Sequence, residues 1–144
     1  MQPRSFSSWR SSTSGIYFLR SGEEAIAPAR EDSNLLTVEV SFEDAGTMLG
    51  VATNGMGTYT SEARTDGSLY GEGQGAMITG DGEPITWRGS GAGKLLPGGA
   101  LSYRGILYYR TPSQKLARLN NACGVFEYEV DAAGNTTAKV WEWK

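Results

Sequence analysis

Two glycine runs at a period of two residues restrict the fold of this chain more than any other feature. They lie within residues 69–95 and consist of Gly71, Gly73, Gly75, Gly89, Gly91 and Gly93. Successive side chains of a β-strand point to opposite faces, so glycine at every second position removes the side chains from one face alone. Such a bare face is typical of a strongly curved antiparallel sheet.

The segment between the two runs, residues 80–84, predicts a hairpin loop of five residues. Pairing Thr79 with Ile85 places the glycines of one run opposite those of the other, and places Met77 opposite Trp87. Directly opposed residues share a face of the sheet. This register therefore collects the glycines and two large apolar side chains on one face, and it leaves polar side chains on the other.

Alternating apolar and polar segments divided by turn signals predict a series of short antiparallel strands. The predicted strands are residues 36–43, 47–53, 56–64, 69–79, 85–95, 101–110, 122–131 and 136–144. Asp44 to Gly46 is interpreted as a turn, and Asn54-Gly55 as a hairpin turn. Residues 111–121 predict a short loop or helical turn before the last hairpin. The predicted fold class is all-β, an antiparallel up-and-down β-barrel of about eight strands.

The domain organisation is predicted from composition along the chain. Residues 1–30 are expected to be a flexible N-terminal segment, with a candidate strand near 15–20. The serine-rich start carries Arg4 and Arg10 without an acidic residue, which is also the pattern of a targeting peptide, but a disordered tail is the preferred interpretation. Residues 31–144 are expected to form a single β-barrel domain.

The composition excludes several classes of function. The chain has no histidine, which removes the usual general base and the commonest metal ligand. The lone cysteine, Cys123, excludes an internal disulfide and a cysteine-based zinc site, and it fits a reducing, cytoplasmic location. The net charge of −3 is spread over both signs, so neither nucleic acid nor a membrane surface is an expected partner. We expect no metal and no cofactor.

The inner face of the predicted barrel supplies the candidate ligand-binding residues. A three-residue loop at 97–99 turns the aromatic residues of strand 101–110 toward the glycines, and pairing Asp131 with Asn135 does the same for strand 122–131. The candidate ligand-binding residues are Met77, Trp87, Tyr103, Tyr109, Phe126 and Tyr128. They either surround a cavity for one small molecule or fill the barrel as ordinary core.

Glu142 is the one candidate for catalysis. The predicted register places it on the inner face beside Val140, and a carboxyl group enclosed in an apolar barrel has a raised pKa and can act as a general acid. In the alternative register Trp141 and Trp143 point inward and Glu142 lies in solvent. If the tryptophans point outward with Val125, they form an apolar patch typical of a subunit interface, which predicts a homo-oligomer.

The C-terminal two thirds of the chain carries a family resemblance. The segments are LYGEGQGAMITGDGEPITWRGSGAG, SYRGILYYRT, SQKLARLNN, VFEYEVDAAGN and KVWEWK. Together they resemble a family of small uncharacterised prokaryotic β-barrel proteins. More distantly, the order of elements is similar to the allene oxide cyclase-like barrel that dirigent proteins share, in which a loop of the type S-x-x-L-x-x-L-x precedes two final strands. Residues 113–120 match that loop.

The more distant resemblance implies an eight-stranded, commonly oligomeric barrel with a central cavity. It implies binding of apolar small molecules, with cyclisation or coupling steered by the shape of the cavity. Three hypotheses follow. The preferred one is a barrel that binds a small apolar molecule without chemistry. The alternatives are an oligomeric structural or interaction protein with a filled barrel, and a cofactor-free isomerase or cyclase that uses a buried carboxylate.

Overall fold

The computed structural model describes the backbone of residues 4–10 and the whole of residues 36–143. The chain is all-β. Its strands are β1 Arg4–Arg10, β2 Thr37–Met48, β3 Val51–Ala63, β4 Ser68–Thr79, β5 Pro84–Leu95, β6 Leu101–Arg110, β7 Cys123–Val130 and β8 Thr136–Trp143. Short 3-10 turns at Pro97–Gly99 and Ala117–Asn121 precede β6 and β7.

The seven strands β2 to β8 form one antiparallel sheet that curls into a half-barrel, with each strand paired to its neighbours in the sequence. The backbone of β1 pairs with the two outer strands, since Trp9 lies opposite Gly46 of β2 and Ala138 of β8. This strand falls within the segment predicted to be flexible, where no alternating pattern indicates a strand. The candidate strand near 15–20 lies outside the described residues.

Residues 37–63 form two long strands, where the sequence predicts three short ones. The turn lies at Leu49-Gly50, whose φ angles of 51° and 81° are both left-handed, as the tightest hairpin turns require. The predicted turn at Asn54-Gly55 is therefore wrong. Gly55 instead lies in the middle of the sheet, where an added Cβ would come within 2.9 Å of the Asp44 carboxylate. The predicted turn at 44–46 is wrong as well, because those residues continue β2.

The glycine hairpin has the predicted faces in a different register. Met77 pairs with Ile85 and Gly73 with Gly89, so the predicted pairs are wrong by two residues. The cause is a tighter loop, in which the Thr79 backbone N–H donates to the Glu83 carbonyl at 3.0 Å. A shift by an even number of residues leaves every side chain on its predicted face.

The predicted registers of two further hairpins, β5–β6 and β7–β8, are confirmed. Leu96 donates to the carbonyl of Ala100 at 2.8 Å across the three-residue loop, and Asp131 donates to that of Asn135 at 2.9 Å. The predicted inward residues of β6, β7 and β8 consequently face the interior.

One end of the interior is closed by the segment that connects β6 to β7. Leu116 and Leu119 insert from this segment and are 2% and 1% exposed, in one cluster with Met48 and Ile85. The Asn120 side chain holds the segment in place, since it accepts from the backbone N–H of Thr111 and donates to its carbonyl, both at 2.9 Å. This closed end leaves the remaining interior to the glycine face and to the rings that lie against it.

Candidate ligand-binding interior

The inward glycines are required by aromatic rings that lie directly on the sheet backbone. A Cβ added at Gly57 would come within 2.6 Å of both Phe42 and Trp87, and one added at Gly93 would come within 2.7 Å of Tyr103. Contacts this short are closer than carbon atoms can approach, so these positions accept only hydrogen. The glycines thus make room for large rings, and the rings take up much of that room.

Five aromatic side chains form a cluster across the interior. They come from five different strands and are Phe42, Tyr59, Trp87, Tyr103 and Tyr128. Neighbouring ring centroids are 6.0–6.4 Å apart, within the range of favourable aromatic pairs. Phe42 and Trp87 are nearly parallel, with 26° between their planes. These contacts define a mainly apolar lining.

A cavity of about 80 Å³ lies beside this cluster. The cluster lines it together with the bare backbone of Gly71, Gly73, Gly89 and Gly91 and with apolar side chains of β6 to β8. A single water molecule needs about 10–15 Å³, whereas pockets for drug-sized ligands have about 300–1,000 Å³. The interior therefore contains empty space, but this space is too small for a drug-sized ligand.

Four of the six predicted ligand-binding residues line this cavity: Trp87, Tyr103, Phe126 and Tyr128. The other two, Met77 and Tyr109, lie in the adjoining core, where they are 1% and 2% exposed.

Tyr103 has its hydroxyl group committed to the protein. The hydroxyl oxygen lies 2.5 Å from Oγ of Ser61 in a buried hydrogen bond. Burial raises the pKa of Tyr103, and the Ser61 hydrogen bond opposes part of that rise. Tyr103 therefore remains neutral over the physiological pH range and presents its ring to the cavity.

Asp44 is a functional candidate that the sequence interpretation missed. It points into the interior from β2, two residues after Phe42, and neither carboxylate oxygen has a hydrogen-bond partner within the part of the chain that the structure describes. Burial raises the pKa of Asp44 to about 6, and its charge adds to the effect of burial in raising the pKa of Tyr109. The sequence contains a pattern that places Asp44 on the inner face: Val38, Val40 and Phe42 lie two residues apart on one face of the strand, and Asp44 is the next position in that series.

Glu142 also lies on an inward position, but it is not an isolated acid. Its carboxylate forms an ion pair with the guanidinium group of Arg118, from the segment that closes one end of the interior. The Glu142 side chain is 13% exposed and that of Arg118 is 50% exposed. A carboxylate with a neighbouring positive charge is held in its ionised form, which does not suit a general acid.

The outward face of β6, β7 and β8 carries an apolar patch. Its residues are neighbours across the three strands and consist of Ile106, Tyr108, Cys123, Val125, Trp141 and Trp143. Tyr108 is 59% and Trp143 66% exposed. The outward direction predicted for both tryptophans is confirmed, whereas the subunit interface stays a prediction.

The described residues offer neither a metal site nor a membrane-spanning helix. Residues 36–143 contain no group of three or more acidic or cysteine side chains that could hold a metal ion. No helix in the described part of the chain is long and apolar enough to cross a membrane.

Comparison with known proteins shows similarity in fold alone. No protein-family model matches the chain, and no characterised protein matches it in sequence. A protein of unknown function from Clostridium acetobutylicum superimposes with a TM-score of 0.70 at 15% identity, over 98% of this chain and 97% of that one. A conserved protein of unknown function from Rhodopseudomonas palustris has a TM-score of 0.67 at 12% identity, over 97% and 95%.

A third solved structure has a TM-score of 0.64 at 16% identity, over 99% of this chain and 97% of that one. It is an enzyme from Penicillium herquei. At these identities the three structures establish that the curled all-β fold recurs in other proteins, and they carry no residue role.

Proposed function

We propose that this protein binds a small, mainly apolar molecule in the interior of the curled sheet. The observation that carries the proposal is the cavity between the aromatic cluster and the glycine face, whose lining is almost entirely apolar. Ligand sites are concave, mostly apolar and largely preformed, and this interior has those properties on a small scale. Binding there requires no metal, cofactor or histidine.

The size of the cavity restricts the ligand. An engineered protein cavity of about 150 Å³ binds benzene, and the volume of about 80 Å³ found here is roughly half of that. A ligand with one aromatic ring therefore needs a cavity side chain to move. Tyr59 and Tyr128 are the members of the cluster that are only partly buried, so these two side chains are the candidates for that movement.

A titration with toluene, followed by NMR, tests the proposal. We expect saturable shifts of the Trp87 indole and of the Tyr128 ring signals. Ala138 lines the cavity, so Ala138→Leu fills it and should abolish the shifts. Ala92→Leu, which adds the same atoms on the exposed face of β5, should retain them. Saturable binding that survives Ala138→Leu, or no binding to the unmodified protein, would contradict the proposal.

An isomerase or cyclase that works without a cofactor is the second candidate. Asp44 favours it, because a carboxyl group with a pKa of about 6 exchanges protons readily near neutral pH. One structural neighbour is itself an enzyme. The buried carboxylate of this hypothesis is Asp44 in preference to Glu142, since Glu142 is paired with Arg118.

Closure of the sheet supports either function. We propose that β1 completes a barrel of eight strands, and the support is its backbone pairing with both β2 and β8. Closure removes the exposed strand edges and encloses the ligand. A homo-oligomer formed through the apolar patch and a cytoplasmic location also remain proposals.

A further inference from the structure

We propose that the interior ligand is an amine, whose apolar body occupies the cavity and whose ammonium group binds to Asp44. This inference rests on the proposed function and names the chemical class of the ligand. The observation behind it is that charged side chains lie at two inward positions of the sheet. Among the inward positions of β2 to β8, the charged residues are Asp44 and Glu142, and within residues 36–143 only Glu142 has an ion-pair partner, Arg118.

Asp44 has unused capacity to accept hydrogen bonds. An ionised carboxylate accepts at about four lone-pair sites, and both oxygens of Asp44 lack a partner among residues 36–143. A buried polar group without a partner is rare, and the carboxylate calls for a partner that residues 36–143 do not supply. The ammonium group of an amine supplies donors and the missing positive charge together.

The surroundings of Asp44 favour an organic cation over a metal ion. Calcium takes six to eight oxygen ligands, whereas residues 36–143 place a single carboxylate here, that of Asp44, and contain no metal-binding cluster. Two buried aromatic rings lie near Asp44: Phe42 is the neighbouring inward residue of β2, and Tyr109 is close enough for the charge of Asp44 to raise its pKa. Aromatic faces attract ammonium groups.

The spacing along β2 sets the length of the ligand. Phe42 lines the cavity, and Asp44 is the next residue on the same face of the strand, which corresponds to a distance of about 7 Å. An aromatic ring in the cavity with an amine two carbons away spans this distance. The probe is therefore 2-phenylethylamine, and 2-phenylethanol is its neutral match.

Calorimetric titration of both compounds tests the inference with Asp44→Asn and with Glu43→Gln, a control on the exposed face of β2. We expect the amine to bind the unmodified protein roughly tenfold or more tightly than the alcohol, as a charge-assisted hydrogen bond implies. Asp44→Asn should remove this preference and leave the affinity for the alcohol within about threefold. Glu43→Gln should change neither affinity.

The outcomes separate this inference from the proposed function. If amine and alcohol bind with equal affinity, or if Asp44→Asn retains the preference for the amine, the amine inference is overturned and the binding function stands. If neither compound binds at millimolar concentration, both are overturned.

The pKa of Asp44 gives a second measurement that needs no variant. Among residues 36–143, the groups beside Asp44 are Gly55 from β3, Met77 from β4 and Tyr109 from β6, and of these only Tyr109 titrates. By carbon NMR, the pKa should fall from about 6 when the amine is added, because a bound cation favours the ionised carboxylate. The alcohol should leave it unchanged. An unchanged pKa at saturating amine would overturn the inference.

Discussion

Among the individual residues, Asp44 differs most from its surroundings. It is a carboxyl group among aromatic and aliphatic side chains, and Gly55 beside it leaves space for its oxygens. A protein keeps such a group at a cost in stability, because burial disfavours the ionised form. That cost is measurable, and its dependence on pH follows from the direction of the pKa shift.

Asp44→Asn should change the pH dependence of stability. Folding raises the pKa of Asp44 from 3.8 to about 6, so the folded state holds the proton more tightly than the unfolded chain. The stability of the unmodified protein therefore falls as the pH rises from about 4 to about 6 and stays lower above that range. Relative to the unmodified protein, Asp44→Asn should gain up to about 3 kcal/mol between pH 4 and pH 7.5.

Chemical denaturation at pH 4 and at pH 7.5 measures this difference. Glu43→Gln is the matched control, since Glu43 lies on the exposed face of the same strand, and its difference from the unmodified protein should not depend on pH in this way. If Asp44→Asn and the unmodified protein show parallel pH profiles, Asp44 does not have a raised pKa.

At the scale of strands, the faces of β4 to β8 could be predicted from the sequence, because alternation and turn length together determine which side chains share a face. The pairs in the glycine hairpin could not, because a three-residue and a five-residue loop preserve the same alternation. In residues 37–63 the local turn signals Asp44 to Gly46 and Asn54-Gly55 suggested ends for strands that continue through them. Tertiary packing decided these positions, and Asp44 was consequently missed.

The size of the cavity could not be predicted from the sequence either, because it too depends on tertiary packing. Its volume depends on how rings from strands far apart in the chain pack against bare glycine, as Trp87 does at Gly57. Alternation shows that a ring points inward, but it does not show where the ring lies. The sequence therefore left a filled and an empty interior both open, and the structure has a small cavity between these limits.

Gly57→Ala should destabilise the protein by about 1–3 kcal/mol, as overpacking of a core does. The new methyl group would lie within 2.6 Å of the Phe42 and Trp87 rings, both of which are buried. Gly80→Ala is the control, because nothing lies within 4 Å of a Cβ there. Urea denaturation compares the two variants. Equal stability of both would show that the glycine face is not required for ring packing.

At the scale of the whole molecule, the curled sheet recurs in proteins from Clostridium acetobutylicum, Rhodopseudomonas palustris and Penicillium herquei, whose sequences are 12–16% identical to this chain. Such divergence shows that very different sequences adopt this architecture, while function depends on the residues placed in it. Within residues 36–143, the interior and the apolar patch are the two surfaces for which we propose a function.

Trp143→Glu should weaken a homo-oligomer if the apolar patch is its interface. Trp143 is 66% exposed within that patch, and a charge there opposes apolar association. Ile78→Glu is the control, since Ile78 is 57% exposed on β4, outside the patch. Light scattering during size-exclusion chromatography measures the mass of each. A monomeric unmodified protein at high concentration, or equal masses for both variants, would contradict the interface.

The most direct test of the binding function is a crystal structure of the protein under xenon pressure. Xenon enters dry apolar cavities and needs no polar partner, so it detects empty apolar space whatever the natural ligand is. We predict one xenon atom in contact with the Trp87, Tyr103 and Tyr128 rings, in the cavity of about 80 Å³. A structure with no xenon there, and with side chains or ordered water filling the space, would contradict the proposed binding site.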